Sequence, residues 1–247
     1  MGSTKSSRPI ENPAKSKDKS FIWAIVALIV IAALVFGFVF WQGKGAKSKK
    51  YADYKQTDIS TSVKLDGDSI VLGDPAKGKT AELFEDYSCP HCAELAQQTD
   101  GQMLDAIKSG KLNVKLRPLT FLDNQGGQSN KDGNSHRALA ALLVLAERGE
   151  GQAWWNLRDN VLKDQKDIYN NWKDEDFANA AKELGASDTA VKDIKDGKDK
   201  DKAEELSKNN ADYLNKQIGQ VSSPHVLVDG KDVPSQSLST WVSDVTK

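Results

Sequence analysis

Residues 80–95, TAELFEDYSCPHCAEL, hold both cysteines of the 247-residue chain, three positions apart and at a change of pattern. Thr80–Tyr87 reads as a β-strand. From Pro90 onward, Cys92, Leu95 and Ala96, Thr99, Met103 and Ile107 recur at helical spacing until Gly110, which predicts one apolar helix face with room for a bend at Gly101. The junction puts Cys89 at the helix N-cap and Pro90 at the first helical position, where a missing N–H does no harm. The Cys89 sulfur then faces the unpaired amides of the first turn and the positive end of the helix dipole, so its thiolate is favoured over its thiol. Cys92 lies on the same face one turn deeper. The pair can close into a disulfide, with Cys89 expected to be exposed and Cys92 shielded. A protonated His91 adds positive charge beside the Cys89 sulfur. Whatever stabilises that thiolate stabilises the reduced form, so the disulfide becomes a readier oxidant.

Working outward, KLNVKLRPL (111–119) reads as a further strand, and strand, helix, strand in that order is a βαβ unit. Upstream, Val63 and Leu65, the turn DGD and SIVL form a β-hairpin pattern. Downstream of the polar loop 123–135 the character turns helical. RALAALLVLAER (137–148) is apolar nearly all round, but its nine apolar residues are too few to cross a membrane and predict a buried helix. Segments 154–162, 174–185, 188–197 and 202–219 add four more helices, with lysine–aspartate runs as solvated faces. PHVLVDGKDV (224–233) is a second hairpin turning at Asp-Gly, and SLSTWVSDV (237–245) a closing helix. The prediction is an α/β domain, one mixed sheet interrupted by an inserted block of helices over about 128–215.

The chain carries 34 basic and 35 acidic residues, a balance that gives no reason to expect a nucleic-acid partner. The distribution is uneven, with nine basic and two acidic residues among the first 50, around the uninterrupted apolar run FIWAIVALIVIAALVFGFVFW (21–41). As a helix this run is roughly 30 Å long, the thickness of a hydrocarbon core, with Trp23 and Trp41 near the interfaces. It predicts a single transmembrane anchor. A cleaved signal peptide would be shorter and followed by a small-x-small site, which WQGKGAKSKK offers only poorly. Residues 1–20 then form a polar tail, 42–59 a linker and 60–247 the folded domain. Lysines flank the run on both sides, so charge does not orient it.

The strand ending in FEDYSCPHC, the helix that starts there, the helical insertion and VSSPHVLVDG before a final helix resemble the DsbA-like thiol:disulfide oxidoreductases. The resemblance covers about 60–247 and implies a thioredoxin fold, a central mixed β-sheet flanked by helices. It implies Cys89 and Cys92 as the catalytic pair, tuned by Pro90 and His91, and a cis-proline at Pro224 lying against the disulfide. Such a proline leaves the backbone of Ser223 free to pair with an extended substrate peptide. The chain departs from the pattern in two places. The buried acid that thioredoxin-like proteins often carry six residues before the first cysteine is Leu83 here, with Glu85, two along on the same strand face, as a substitute. His225 follows the proline, where apolar residues or threonine are commoner, and would either tune the site or be hydrogen-bonded in the sheet.

Other readings are weaker. A zinc site needs four ligands, and neither a second CxxC nor a paired histidine motif is present. A structural disulfide closing so short a loop stabilises little. His136 reads as a surface residue at a helix start, and Trp154 and Trp155 as buried anchors rather than a peptide-binding patch. An oxidising pair is useful only outside the reducing cytoplasm, which places 1–20 inside and 42–247 outside. The expected activity is disulfide insertion into exported, unfolded proteins, with no metal or organic cofactor. Turnover would need a membrane partner of the DsbB or vitamin-K-epoxide-reductase (VKOR) type. A reductase or isomerase of the same fold, and a non-catalytic peptide-binding chaperone module, are the alternatives.

Overall fold

A computed structural model describes residues 51, 54, 56–124 and 128–247, which fall in one unit, Ser48–Lys247. The expected tail and transmembrane anchor lie outside the described residues. Among those described, no helix is long and apolar enough to cross a membrane.

The first hairpin pairs β1 (Val63–Asp66) with β2 (Ser69–Leu72), antiparallel, around a turn in which Gly67 has a φ of 56°. Strand β3 (Lys79–Asp86) leads into helix α1 (Pro90–Lys108), which runs unbroken through Gly101 to β4 (Leu112–Leu119). Strands β3 and β4 pair in parallel from Lys79↔Leu112 to Asp86↔Leu119, as a βαβ crossover requires. Helices α2 (Asn134–Glu147), α3 (Gly151–Lys163), α4 (Gln165–Ile168), α5 (Asp174–Glu183), α6 (Asp188–Lys195) and α7 (Lys200–Ile218) follow. Strands β5 (His225–Val228) and β6 (Lys231–Asp232) make the second hairpin. Its turn puts Asp229 and Gly230 at φ 52° and 72°, the paired left-handed positions that favour Asp-Gly. A 3-10 turn, Ser235–Thr240, precedes α8 (Trp241–Thr246).

The sheet order is β1-β2-β4-β3-β5-β6, with β3 central between parallel β4 and antiparallel β5. This is the thioredoxin-fold sheet with a helical block inserted between β4 and β5. Side-chain alternation along β3 divides its residues between two layers. Leu83 joins the main core with α1 and α8, whereas Phe84 packs with Leu119, Leu214 and Leu227 under α7. Helix α2 is buried along its length, as its apolar run requires. Trp154 and Trp155 are also buried, anchoring α3 in the helical block.

Two expectations change. His136 is not a surface residue: it is 1% exposed, because the 3-10 turn Phe121–Asp123 folds over the start of α2. Asp123 there accepts the His136 backbone N–H at 2.8 Å and lies 3.2 Å from Nδ1, while Thr120 and Ser129 hydroxyls meet Nε2. The linker expected to reach residue 59 is docked at Tyr51, whose ring packs edge-on against Trp172 and whose hydroxyl donates to Asp176 at 2.8 Å. Further along, Thr57 exchanges hydrogen bonds with Asn156 and Gln152 of α3.

Candidate active site

The end of β3 delivers Cys89 to the N-cap of α1, in extended conformation (φ −83°, ψ 116°), with Pro90 opening the helix. The carbonyl of Cys89 accepts the N–H groups of Cys92 (3.1 Å) and Ala93 (3.2 Å), closing the first turn. The side chain of Gln165, at the start of α4, donates to the carbonyls of both Tyr87 and Cys89 at 3.0 Å. The cysteines are present as a dithiol. Cys89, expected to be exposed, is only 6% so, and Cys92 is 2% exposed. The cover over Cys89 is the loop at Ser223–Pro224, a cis peptide bond, whose Ser223 carbonyl lies 3.5 Å from the Cys89 sulfur.

The two sulfurs differ sharply. The Cys89 thiol is lowered to about 5, first by the hydrogen bond from Cys92, against the opposing effect of burial, then by Ser223 and by the backbone amides of Cys92 and His91. Burial pushes the Cys92 thiol well up, and the bond it gives Cys89 adds to this. The N–H of Asp86 donates to the Cys92 sulfur at 3.4 Å. The Ser223 hydroxyl is buried and has no settled hydrogen-bond partner, so it is a donor available to a charged sulfur, and it lowers both cysteines.

The His91 ring is exposed and pairs with Glu94 at 3.1 Å, which raises its pKa; the Cys89 charge contributes less. What His91 gives Cys89 is mainly its backbone amide. Glu85 is buried on the α1 side of β3 and lines a narrow cleft with Cys92 and Pro224. Both its oxygens are held by Arg158, at 2.8 and 2.7 Å, and the same guanidinium reaches Asp100 at 2.6 Å. Burial raises the Asp100 carboxyl to about 6. Neither Arg158 nor Gln165 was singled out in the sequence. A lone arginine among Trp155, Leu157, Val161 and Leu162 was the available sign for the first; the second left none.

Asp86 ends β3 fully buried, accepting from the N–H groups of Ser88 (2.9 Å) and Leu122 (3.2 Å) and from the Ser135 hydroxyl. Burial lifts its carboxyl to about 7. Glu82 points to the other layer, paired with Arg117 and accepting from the Tyr213 hydroxyl. A groove of about 480 Å³ runs beside the dithiol, lined by His91, Gln98, Ser223, Pro224, His225 and Leu238 among others. Among the described residues no cluster of side chains is arranged to hold a metal.

Fold and site together define a thioredoxin-fold dithiol protein with one low-pKa sulfur facing a cis-proline loop. The thioredoxin family model matches residues 65–246, and the chain belongs to this family, among the DsbA-like thiol:disulfide oxidoreductases. The MdbA thiol-disulfide oxidoreductase of Corynebacterium diphtheriae is 42% identical and superposes with a TM-score of 0.75 over 80% of this chain and 99% of that one. MdbA of Corynebacterium matruchotii is 33% identical, with a TM-score of 0.74 over 81% and 99%. BdbD of Bacillus subtilis, 16% identical with a TM-score of 0.56 over 77% and 99%, shares the fold. The serine/threonine-protein kinase PknE of Mycobacterium tuberculosis is 23% identical over 70% of this chain, which spans 31% of the kinase.

Proposed function

We propose that the protein is a thiol:disulfide oxidase that inserts disulfide bonds into exported, still unfolded proteins. The observation that carries this reading is the asymmetry of the two sulfurs, Cys89 lowered to about 5 and Cys92 raised. A substrate thiolate attacks the Cys89 sulfur of the disulfide form, making a mixed disulfide while Cys92 leaves and takes up a proton. A second substrate thiolate then attacks the substrate's own sulfur in that bond, and Cys89 leaves as a stabilised thiolate. Two electrons pass from substrate to enzyme, and the substrate leaves with a disulfide. The low Cys89 pKa makes it a good leaving group in this direction.

The substrate chain lies along the groove beside Ser223, Pro224 and His225, with Pro90, His91 and Glu85 setting the environment of the pair. The apolar run 21–41 anchors the domain on the outer side of the membrane. From its end only nine residues, 42–50, precede the seated Tyr51, which gives roughly 30 Å of reach at full extension. A DsbB-like or VKOR-like partner in the same membrane would reoxidise the dithiol, with no metal or organic cofactor.

The test is the reduction potential of the purified pair with its oxidation of a reduced, unfolded two-cysteine protein. The expected potential lies well above thioredoxin's value of about −270 mV, with Cys89→Ser inactive. A potential as low as thioredoxin's, with a near-normal Cys89 thiol, would favour a reductase. Full activity of Cys89→Ser in cells would leave only a peptide-holding role. Labelling of intact cells with an impermeant thiol reagent after mild reduction checks the topology.

A further inference from the structure

The cis Ser223–Pro224 bond is bracketed by two side chains that bond each other across it. The Ser222 hydroxyl lies 2.7 Å from His225 Nε2, so the three-residue step from 222 to 225 is closed into a small ring around the proline. The other ring nitrogen, His225 Nδ1, lies 3.0 and 3.1 Å from the two carboxylate oxygens of Asp232 on β6. His225 itself sits opposite Phe84 of β3 in the sheet register, two residues before the end of that strand. The arrangement therefore runs from a strand of the sheet, through an imidazole with one defined partner on each nitrogen, to the loop that covers Cys89. With Nδ1–H donating to Asp232, Nε2 is left to accept from Ser222, so the carboxylate also selects the tautomer.

Residues 222–225 are all half-buried; the Ser223 carbonyl lies 3.5 Å from the Cys89 sulfur, and the buried Ser223 hydroxyl, which has no settled hydrogen-bond partner, is one of the groups that lower the Cys89 thiol. A small displacement of this loop would withdraw both groups from the sulfur.

The geometry points to Asp232, His225 and Ser222 as a positioning relay that holds the Ser223–Pro224 loop over Cys89 and so sets the reactivity of that sulfur and its presentation to the substrate chain. The three residues touch neither sulfur; they act on Cys89 through Ser223. For its substrate half the inference rests on the oxidase reading, but its effect on the sulfur is measured without any substrate.

The test uses His225→Phe, which keeps a ring of similar size and removes both bonds, Ser222→Ala, and the double variant. On the reduced proteins the Cys89 thiolate titration midpoint is expected to move up by roughly half a unit or more in each, because the Ser223 hydroxyl is no longer held toward the sulfur. The double variant should match the single ones, since either change cuts the same relay. Ser222→Thr, which keeps the hydroxyl, should return the midpoint to the wild-type position. Oxidation of an unfolded two-cysteine substrate should lose roughly tenfold in kcat/KM in the two single variants. Unmoved titration midpoints would overturn the proposal, as would additive shifts in the double variant or failure of Ser222→Thr to restore the midpoint. A wild-type protein that does not oxidise the substrate would count against the oxidase reading alone and leave the titration result standing.

Discussion

Cys89 ionises at about 5 in the folded dithiol and at about 8.5 in an unfolded chain. A group depressed in this way stabilises the folded state fully above the unfolded value, and the benefit is lost as the pH falls through the folded one. The reduced protein should therefore gain stability over Cys89→Ser as the pH rises from about 5 to about 8.5. Thermal unfolding of both at several pH values checks this; parallel curves would mean that the sulfur is not depressed. The comparison must be made as a difference, because Asp86, raised to about 7 by burial, titrates in part of the same window with the opposite sign. The raised Asp86 contributes stability below the unfolded carboxyl value, and that contribution fades as the pH climbs through about 7. At this scale the direction of the Cys89 shift was legible, since an N-cap followed by proline turns the sulfur toward the first-turn amides, whereas its burial under the Ser223–Pro224 loop was not. The burial of Asp86 and His136 was not, because each is satisfied by partners far along the chain, Ser135 for one and Asp123 for the other.

Among the elements, the short helix α4 is the one that periodicity missed, since four residues make little more than one turn. Its consequence is disproportionate to its length. Gln165 spends both amide hydrogens on the carbonyls of Tyr87 and Cys89, binding the active-site turn to the helical block. Gln165→Ala should cost roughly 1–3 kcal/mol, the range for leaving a buried acceptor unpaired, here the Tyr87 carbonyl, since the Cys89 carbonyl keeps the amides of Cys92 and Ala93. Amide hydrogen exchange at residues 87–93 should accelerate more than elsewhere, and uniform exchange across the domain would contradict this role. The longer helices were legible because their apolar residues recur at the helical period: α2 and α1 bury the positions expected of them. The docking of the segment from Tyr51 was hidden by its polar, lysine-rich neighbours, with only the tyrosines to suggest a packed partner.

Across the whole molecule, the sheet and the helical block are joined beneath the dithiol by one fully buried arginine. Arg158 of α3 binds Glu85 of β3 and Asp100 of α1, so three elements meet at a single guanidinium. Removing it would strand two carboxylates in the interior, and Arg158→Met should cost about 3–5 kcal/mol. Urea denaturation gives the number; a loss below about 1 kcal/mol would show the pair to be hydrated rather than sealed. The order of strands was legible as a βαβ unit flanked by hairpins. The ion cluster was not, because nothing in a linear pattern says that positions 85, 100 and 158 converge. The same long-range assembly has a bearing on how the enzyme comes into being. Ser223 belongs to about the last tenth of the chain, and β5, which follows it, is the second neighbour of β3. On a growing polypeptide Cys89 thus emerges long before the residues that cover it. Until the final hairpin has been synthesised and zipped onto the sheet, this thiol has yet to acquire much of what separates it from those of its own clients.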